Sequence, residues 1–259
     1  MQNEWEQEIY EFDTLGYTVI EKCLNANQIN KITSFWEKNL VDFSLCDINF
    51  EWSNEWSNLI DNEKYFDILN YLFDGNFRLD HAYCADEKFL DNVEKLHHSP
   101  NPNLGLYHFY HAGKISPGLV TISISLYDIK DDQGGFICVP GSHKSYFPTP
   151  DKYFSVRNNN HLVSVPQSAG SAILFNEALL HGTRFPSSKF KRKSIFLRYC
   201  PRGLAFRKPT FKANNLPETP MHEGRREKVS QSSSSLSKRQ LYLIEEMAFV
   251  RGRKNIDEL

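Results

Sequence analysis

Gly134-Gly135-Phe136-Ile137-Cys138-Val139-Pro140-Gly141-Ser142-His143-Lys144 decides the fold class of this chain. Gly-Gly opens a turn into an apolar run of β type, and Pro-Gly closes that run. A second stretch repeats the pattern: Gly170-Ser171-Ala172-Ile173-Leu174-Phe175 leads to Leu180-His181-Gly182-Thr183, so a histidine stands where a strand ends. Arg192 follows at 192 − 181 = 11 positions, where a further β-run, Ser194 to Tyr199, begins. A histidine on one strand and an arginine on the next can both point into one barrel and hold a metal and an anionic co-substrate there.

Outward from these stretches, the second half of the chain reads as β. Gly118 to Ile129 alternates small polar residues with aliphatics, which suits a strand with one face in a core and the other lining a pocket. Phe136–Val139, His161–Val165, Ser171–Phe175 and Ser194–Tyr199 follow between Gly, Pro and Asn turns, and many short strands at modest spacing predict a sandwich or barrel. The first half reads as mixed. Residues 1–11 predict a short polar helix or tail, and Tyr17–Ile20 a strand. Asn25 offers an N-cap for a helix carrying Ile29, Ile32, Phe35, Trp36 and Leu40 on one face. Trp52–Trp56 predicts a loop or surface helix, Tyr65–Phe73 an amphipathic helix closed by Asp74-Gly75, and Phe77–Cys84 a strand. Residues 85–95 read as a charged loop. Pro, Lys, Asn and a serine run over 201–235 predict a linker, and Leu236–Phe249 a terminal helix with Leu241, Ile244 and Met247 on one face.

The 259 residues suit one large domain or two small ones. Hydrophobic content of 40% and charged content of 24% are ordinary for a soluble globular chain, and a net charge of −2 gives no argument for nucleic acid or an anionic membrane as partner, so neither is expected. No apolar run is long enough to span a bilayer, and Met1-Gln-Asn-Glu-Trp-Glu is the opposite of a signal peptide. Five scattered cysteines without a CxxC pair argue against a disulfide framework or a zinc knuckle, so a reducing, cytoplasmic setting is expected.

The Gly134-Gly135 turn, Pro140–Lys144, the Gly170–Gly182 strand ending in His-Gly, and Arg192 together resemble the phytanoyl-CoA dioxygenase family of Fe(II)/2-oxoglutarate oxygenases. Phe12-Asp-Thr-Leu-Gly16-Tyr17 resembles the family's usual opening, so the likeness covers roughly residues 9 to 200. It implies an α+β, mainly β fold: a double-stranded β-helix (jelly-roll, cupin-like) barrel with N-terminal helices packed outside. The oxygenase domain would occupy 1–205, helical over 9–95 with its barrel core at 96–200, and 206–259 would form a linker and C-terminal helix. It also implies Fe(II) and 2-oxoglutarate as cofactors, and a small organic substrate that is hydroxylated or similarly oxidised with release of succinate and CO2.

Enzymes of this kind bind iron through two histidines and a carboxylate, the first two ligands coming as His-x-Asp. Here the equivalent position is Leu96-His97-His98-Ser99, with 181 − 97 = 84 positions to the second histidine. The resemblance makes His97 and His181 metal ligands and sets Ser99 where the aspartate should be. Glu177, four residues before His181, is the leading candidate for the missing carboxylate, since on a regular strand both side chains share a face; Asp80 is a second candidate. Two other readings stay open. A small residue at 99 is compatible with a halogenase, in which a halide takes the carboxylate's place, and loss of metal would leave a non-catalytic barrel that binds a ligand or partner. His111 is an alternative first histidine. Arg192 would clamp the distal carboxylate of 2-oxoglutarate, with Arg198, six positions on, as the same-face alternative. His98 and His81 read as pocket or core histidines, His143 and Lys144 as structure and turn chemistry. Thr121, Ser123 and Ser125 line either the cavity or a solvent face.

Overall fold

The computed structural model describes residues 5–40, 45–86, 95–131, 133–184, 192–206 and 236–244. The 201–235 linker therefore lies largely outside the described residues, as does Met247 of the C-terminal helix.

A six-stranded antiparallel sheet forms the larger layer. Its strands are β1 (Tyr17–Ile20), β2 (Leu45–Asp47), β3 (Phe77–Asp86), β6 (Val120–Ser125), β9 (Ala172–Asn176) and β11 (Lys193–Pro201), in the order β1-β9-β6-β11-β3-β2. Three shorter strands, β7 (Gly135–Cys138), β8 (Val163–Ser164) and β10 (His181–Arg184), make the smaller sheet in the order β10-β7-β8. A hairpin of β4 (His108–His111) and β5 (Lys114–Pro117) stands apart. The chain reverses within it at Ala112-Gly113, both with positive φ, and β5 runs up to the Pro117-Gly118 pair.

The two sheets face each other. Phe136 and Cys138 of β7 and Val163 of β8 pack against Ile173 and Phe175 of β9 and Tyr17 and Val19 of β1. The alternate residues of the large sheet, among them Ile122, Ile124, Leu174, Ile195 and Leu197, turn outward into a second core with the helices. This is the jelly-roll arrangement, with helices on the outer face of one sheet. Both faces of β6 are covered, so all six of its residues are buried. Thr121, Ser123 and Ser125 consequently line the interior between the sheets, not solvent.

The helices are α1 (Glu6–Leu15), α2 (Ala26–Asn39), α3 (Asn54–Ser57), α4 (Glu63–Leu72) and α5 (Lys238–Ile244). Asn25 caps α2 in a reciprocal capping box with Gln28. Trp52 and Trp56 are buried, packed edge-to-face at 5.0 Å between centroids, so the short α3 faces the core and is not a surface helix. α1 is amphipathic, burying Ile9 and Phe12, which makes residues 6–15 a docked element and not a tail.

The opening motif and the Pro-Gly-Ser-His-Lys motif meet. Gly16 has φ +87°, and a Cβ there would stand 2.5 Å from His143 Nδ1 and 2.7 Å from Leu179 Cδ1. Gly141 N–H donates to Leu15 O at 2.8 Å, and Ser142 Oγ accepts from Leu180 N–H at 2.8 Å. Ser142 thereby holds the backbone next to His181, which ties the motif to the site without placing it in the chemistry.

Candidate active site

His181 opens β10. On one side it pairs with Cys138 of β7; on the other it bridges His97, whose N–H donates to His181 O at 2.8 Å while His181 N–H donates back at 3.2 Å. Gly182 permits this approach, since a Cβ there would stand 3.0 Å from Lys95 O. The two imidazole centroids are 4.4 Å apart. Phe136 and Phe175 pack on the His181 ring, and its Nδ1–H donates to Leu179 O at 2.7 Å, so Nε2 carries the free lone pair.

Glu177 lies on the turn between β9 and β10. It does face His181, although no regular strand joins them. The turn is shaped by Asn176, whose Oδ1 accepts from Ala178 N–H and whose Nδ2 donates to Tyr107 O, and by Glu177 N–H donating to Leu119 O at 2.9 Å. The Glu177 side chain is fully buried. Its Oε1 accepts from Thr121 Oγ and pairs with Arg198 Nε at 3.2 Å. Its Oε2 accepts no hydrogen bond and faces His98 Nε2 at 3.4 Å and His181 Nε2 at 3.8 Å.

Burial alone would raise the Glu177 pKa, but Arg198, then His181 and His98, and the Thr121 hydroxyl hold it down to about 2. Burial pushes His97 down to about 4, with His98 acting in the same direction, and burial also lowers His98 and His181. Near neutral pH the cluster is one carboxylate among neutral imidazoles, the donor set that suits a divalent metal.

The remaining candidates sort themselves by contact. Asp80 is committed elsewhere: Oδ1 accepts from Arg78 Nη1 at 2.6 Å and from Phe206 N–H at 3.0 Å, and Oδ2 accepts from His81 Nδ1 at 2.6 Å. His111 is exposed on the β4–β5 hairpin. His108, buried, binds Asp13 through Nε2 at 2.8 Å. Arg192 is 4% exposed and stands two residues before the Ser194–Ser125 pair, at the opposite end of β11 from Arg198. Arg198 turns into the Glu177 cluster, with Nη2 donating to Tyr83 Oη at 3.2 Å and Nη1 3.5 Å from His81 Nε2. The sequence offered Arg198 as the alternative partner of 2-oxoglutarate and His98 as a pocket or core histidine; that both meet Glu177 is seen only in the structure.

Among the described residues, no three His, Cys, Asp or Glu donors are already spaced to enclose a metal ion. The shortfall is small. Two cis ligands at metal–donor distances of about 2.1 Å stand roughly 3 Å apart, against the 3.4 and 3.8 Å found between Glu177 Oε2 and the two Nε2 atoms. An unpaired buried carboxylate oxygen that two lone-pair nitrogens face is what a cation would draw together, and on that ground the residues fit a metal.

Residues 103–194 match the model of the phytanoyl-CoA dioxygenase family, PhyH. The match covers the β4–β5 hairpin, strands β6 to β10, Glu177, His181 and Arg192. Ectoine dioxygenase of Nocardia farcinica (strain IFM 10152) is 23% identical over 227 residues, covering 74% of this chain and 76% of that protein. The crystal structure of apo HygX from Streptomyces hygroscopicus superposes with a TM-score of 0.67 at 23% identity, over 78% of this chain and 89% of that one. EctD from S. alaskensis with bound Fe superposes with a TM-score of 0.61 at 17% identity, over 82% of this chain and 85% of that one. At such identities the structural likeness is a likeness of fold, and it agrees with the jelly roll that the family resemblance implied.

Proposed function

We propose that this chain is an Fe(II)/2-oxoglutarate-dependent oxygenase acting on a small organic substrate, with its metal held by His97, His181 and Glu177. One observation carries the reading: the unpaired Glu177 Oε2 sits beside His181 Nε2 at the point where His181 bridges His97. The family supports it, as do relatives whose structures hold a metal and co-substrate: HygX has been solved with iron and with nickel and 2-oxoglutarate. In this reading the carboxylate has moved from position 99 to position 177.

Each residue has a stated task. His181 is held by Leu179 O so that Nε2 faces inward. Glu177 offers Oε2 alone, because Thr121 and Arg198 occupy Oε1. Arg192, buried before β11, would pair with the distal carboxylate of 2-oxoglutarate through its planar guanidinium. The phenyl rings of Phe136 and Phe175 exclude water from the inner side of His181. Iron and 2-oxoglutarate together supply the oxidant, with succinate and CO2 as by-products, and the protein orients the substrate.

Anaerobic titration of the apo-protein with Fe(II) and 2-oxoglutarate tests this reading. A saturating visible charge-transfer band at one iron per chain is expected. Its absence, with no 2-oxoglutarate bound, would instead favour a metal-free binding barrel, a reading that the Glu177–Arg198 pair also accommodates. Halogenation needs an empty position beside the two histidines, and Glu177 stands close to it.

A further inference from the structure

After β11 ends at Pro201, the chain doubles back across the first residues of β3. Leu204 N–H donates to Pro201 O at 2.9 Å, and Leu204 O accepts from Arg78 Nη1 at 3.2 Å. Phe206 N–H donates to Asp80 Oδ1 at 3.0 Å. The side chains of Leu204 and Phe206 pack on a small apolar core of Leu106, Leu119, Ala178 and Cys200. Gly105 makes room for the Phe206 ring: its φ is +70°, and a Cβ there would stand 2.4 Å from Phe206 Cζ.

Two routes lead from Phe206 to Glu177. The first is apolar and main-chain. Gly105 O accepts from Leu119 N–H at 3.3 Å, and Leu119 O accepts from Glu177 N–H at 2.9 Å. Ala178, the next residue, shares the core on which the Phe206 ring packs. The second is polar. Asp80 takes the Phe206 N–H on Oδ1 and His81 Nδ1 on Oδ2, His81 Nε2 lies 3.5 Å from Arg198 Nη1, and Arg198 Nε lies 3.2 Å from Glu177 Oε1. One residue thus reaches Glu177 at both ends, the amide through its ring and the carboxylate through its own N–H.

We propose that residues 201–206 form a strap and that Phe206 is a positioning residue for Glu177: docked on Gly105 and Asp80, it holds the 176–179 turn so that Glu177 Oε2 stays aimed at His181. This rests on the metal-centre reading above and deepens it. Glu177 stands on a turn, where no sheet ladder fixes its direction, so the support must come from outside the turn. The strap supplies that support without adding a donor, and the three-ligand site keeps its open positions.

The test compares full-length wild-type protein with three variants. Phe206→Ala empties the place of the ring over Gly105, and Phe206→Leu refills most of it. Ile32→Ala removes a buried side chain from the outer core, remote from the strap, as the control for lost stability alone. Co(II) affinity is read by competition with a chelator, and amide hydrogen exchange of Glu177, Ala178 and Leu179 is read on the apo-proteins. Phe206→Ala is expected to weaken Co(II) binding about tenfold or more. It should also speed exchange at the three amides by more than its loss of melting temperature accounts for. Phe206→Leu should recover most of both, and Ile32→Ala should melt lower with Co(II) affinity unchanged. Wild-type affinity in Phe206→Ala, or an equal loss in Ile32→Ala, would overturn the proposal while leaving a metal centre intact. Failure of wild-type protein to bind Co(II) would overturn the metal-centre reading instead, and unchanged exchange at the three amides would overturn the hold of the strap on the turn whether or not metal binds.

Discussion

Glu177→Gln separates two roles that the structure gives to one side chain. Glu177 is fully buried, and its Oε1 is the counter-charge of Arg198, 3.2 Å away. Removing one partner of a buried pair costs about 3–5 kcal/mol. Glutamine keeps the volume and an acceptor for Thr121, and Arg198 keeps Tyr83 Oη and His81 Nε2. The lower end is therefore expected, about 3 kcal/mol. At about 2–4 °C per kcal/mol for a domain of this size, the apo-protein should melt roughly 6–12 °C lower by calorimetry. Arg198→Met strands the carboxylate instead and should cost a similar amount, while the double variant should recover about 1–3 kcal/mol as a coupling energy. Metal binding behaves differently. Glu177→Gln removes the only anion among the proposed ligands and should weaken Co(II) or Fe(II) binding by about 100-fold, some 2.7 kcal/mol. Arg198→Met frees the same anion from a competing cation and should bind metal at least as tightly as wild type. If Glu177→Gln lost stability but kept wild-type metal affinity, Glu177 would be an ion-pair partner and nothing more.

Returning the carboxylate to position 99 should rescue its loss at 177: Glu177→Ala is expected to abolish the charge-transfer band and Glu177→Ala/Ser99→Asp to restore it, whereas an unrestored band would show that the 95–99 segment does not face the metal. Arg192→Lys should raise the Kd for 2-oxoglutarate about tenfold or more, since a point charge replaces a bidentate fork, with metal affinity unchanged; equal losses of both would refute the division of labour. Gly16→Ala sets a methyl 2.5 Å from His143 Nδ1 in a left-handed backbone and should cost about 1–3 kcal/mol in urea unfolding. His143 is 1% exposed, and burial first, then His108, pushes its pKa from 6.5 down to about 3. The folded state therefore refuses a proton that the unfolded chain accepts, so this contribution is full above pH 6.5 and is lost as pH falls from 6.5 towards 3. The urea midpoint should drop across that window by an amount that His143→Gln reduces; an equal drop in both would assign it to other groups.

The strands were legible because glycine, proline and β-branched residues punctuate them: β6 lies within the Gly118–Ile129 run, and β7, β9 and β11 overlap the runs read as β to within one or two residues. The tryptophans at 52 and 56 were assigned to a loop or surface helix because α3 is too short to show a helical period; their burial comes from tertiary packing with Phe35. The β4–β5 hairpin fell outside the runs read as β, since its second strand ends in proline; a proline can close an edge strand, and Pro117 ends β5 opposite His108. Glu177 was found through an i, i+4 argument that assumed a strand. The structure brings the same pair together by a turn built on Asn176, so the two side chains do meet but not through the strand geometry that was assumed. His98 read as a pocket or core histidine, but its approach to Glu177 could not be read, since a φ of +64° at a histidine has no sequence signature.

The shape of that turn bears on which arginine serves the co-substrate. The choice between Arg192 and Arg198 was open on alternation alone, because both fall on the inward face of β11. Arg198 is spent: Nε faces Glu177 Oε1, Nη2 donates to Tyr83, Nη1 approaches His81, and the guanidinium lies over the Tyr83 ring at 5.5 Å. His81 is in turn held by Asp80, so the chain Asp80–His81–Arg198–Glu177 alternates acid and base through the interior. Arg198 is thus the main counter-charge of the buried Glu177, with His181, His98 and Thr121 adding to it. A metal carboxylate at position 177, as proposed, needs such a buried cation beside it while the metal is absent. On that proposal Arg192, buried at the other end of the same strand, is the arginine expected to meet the co-substrate.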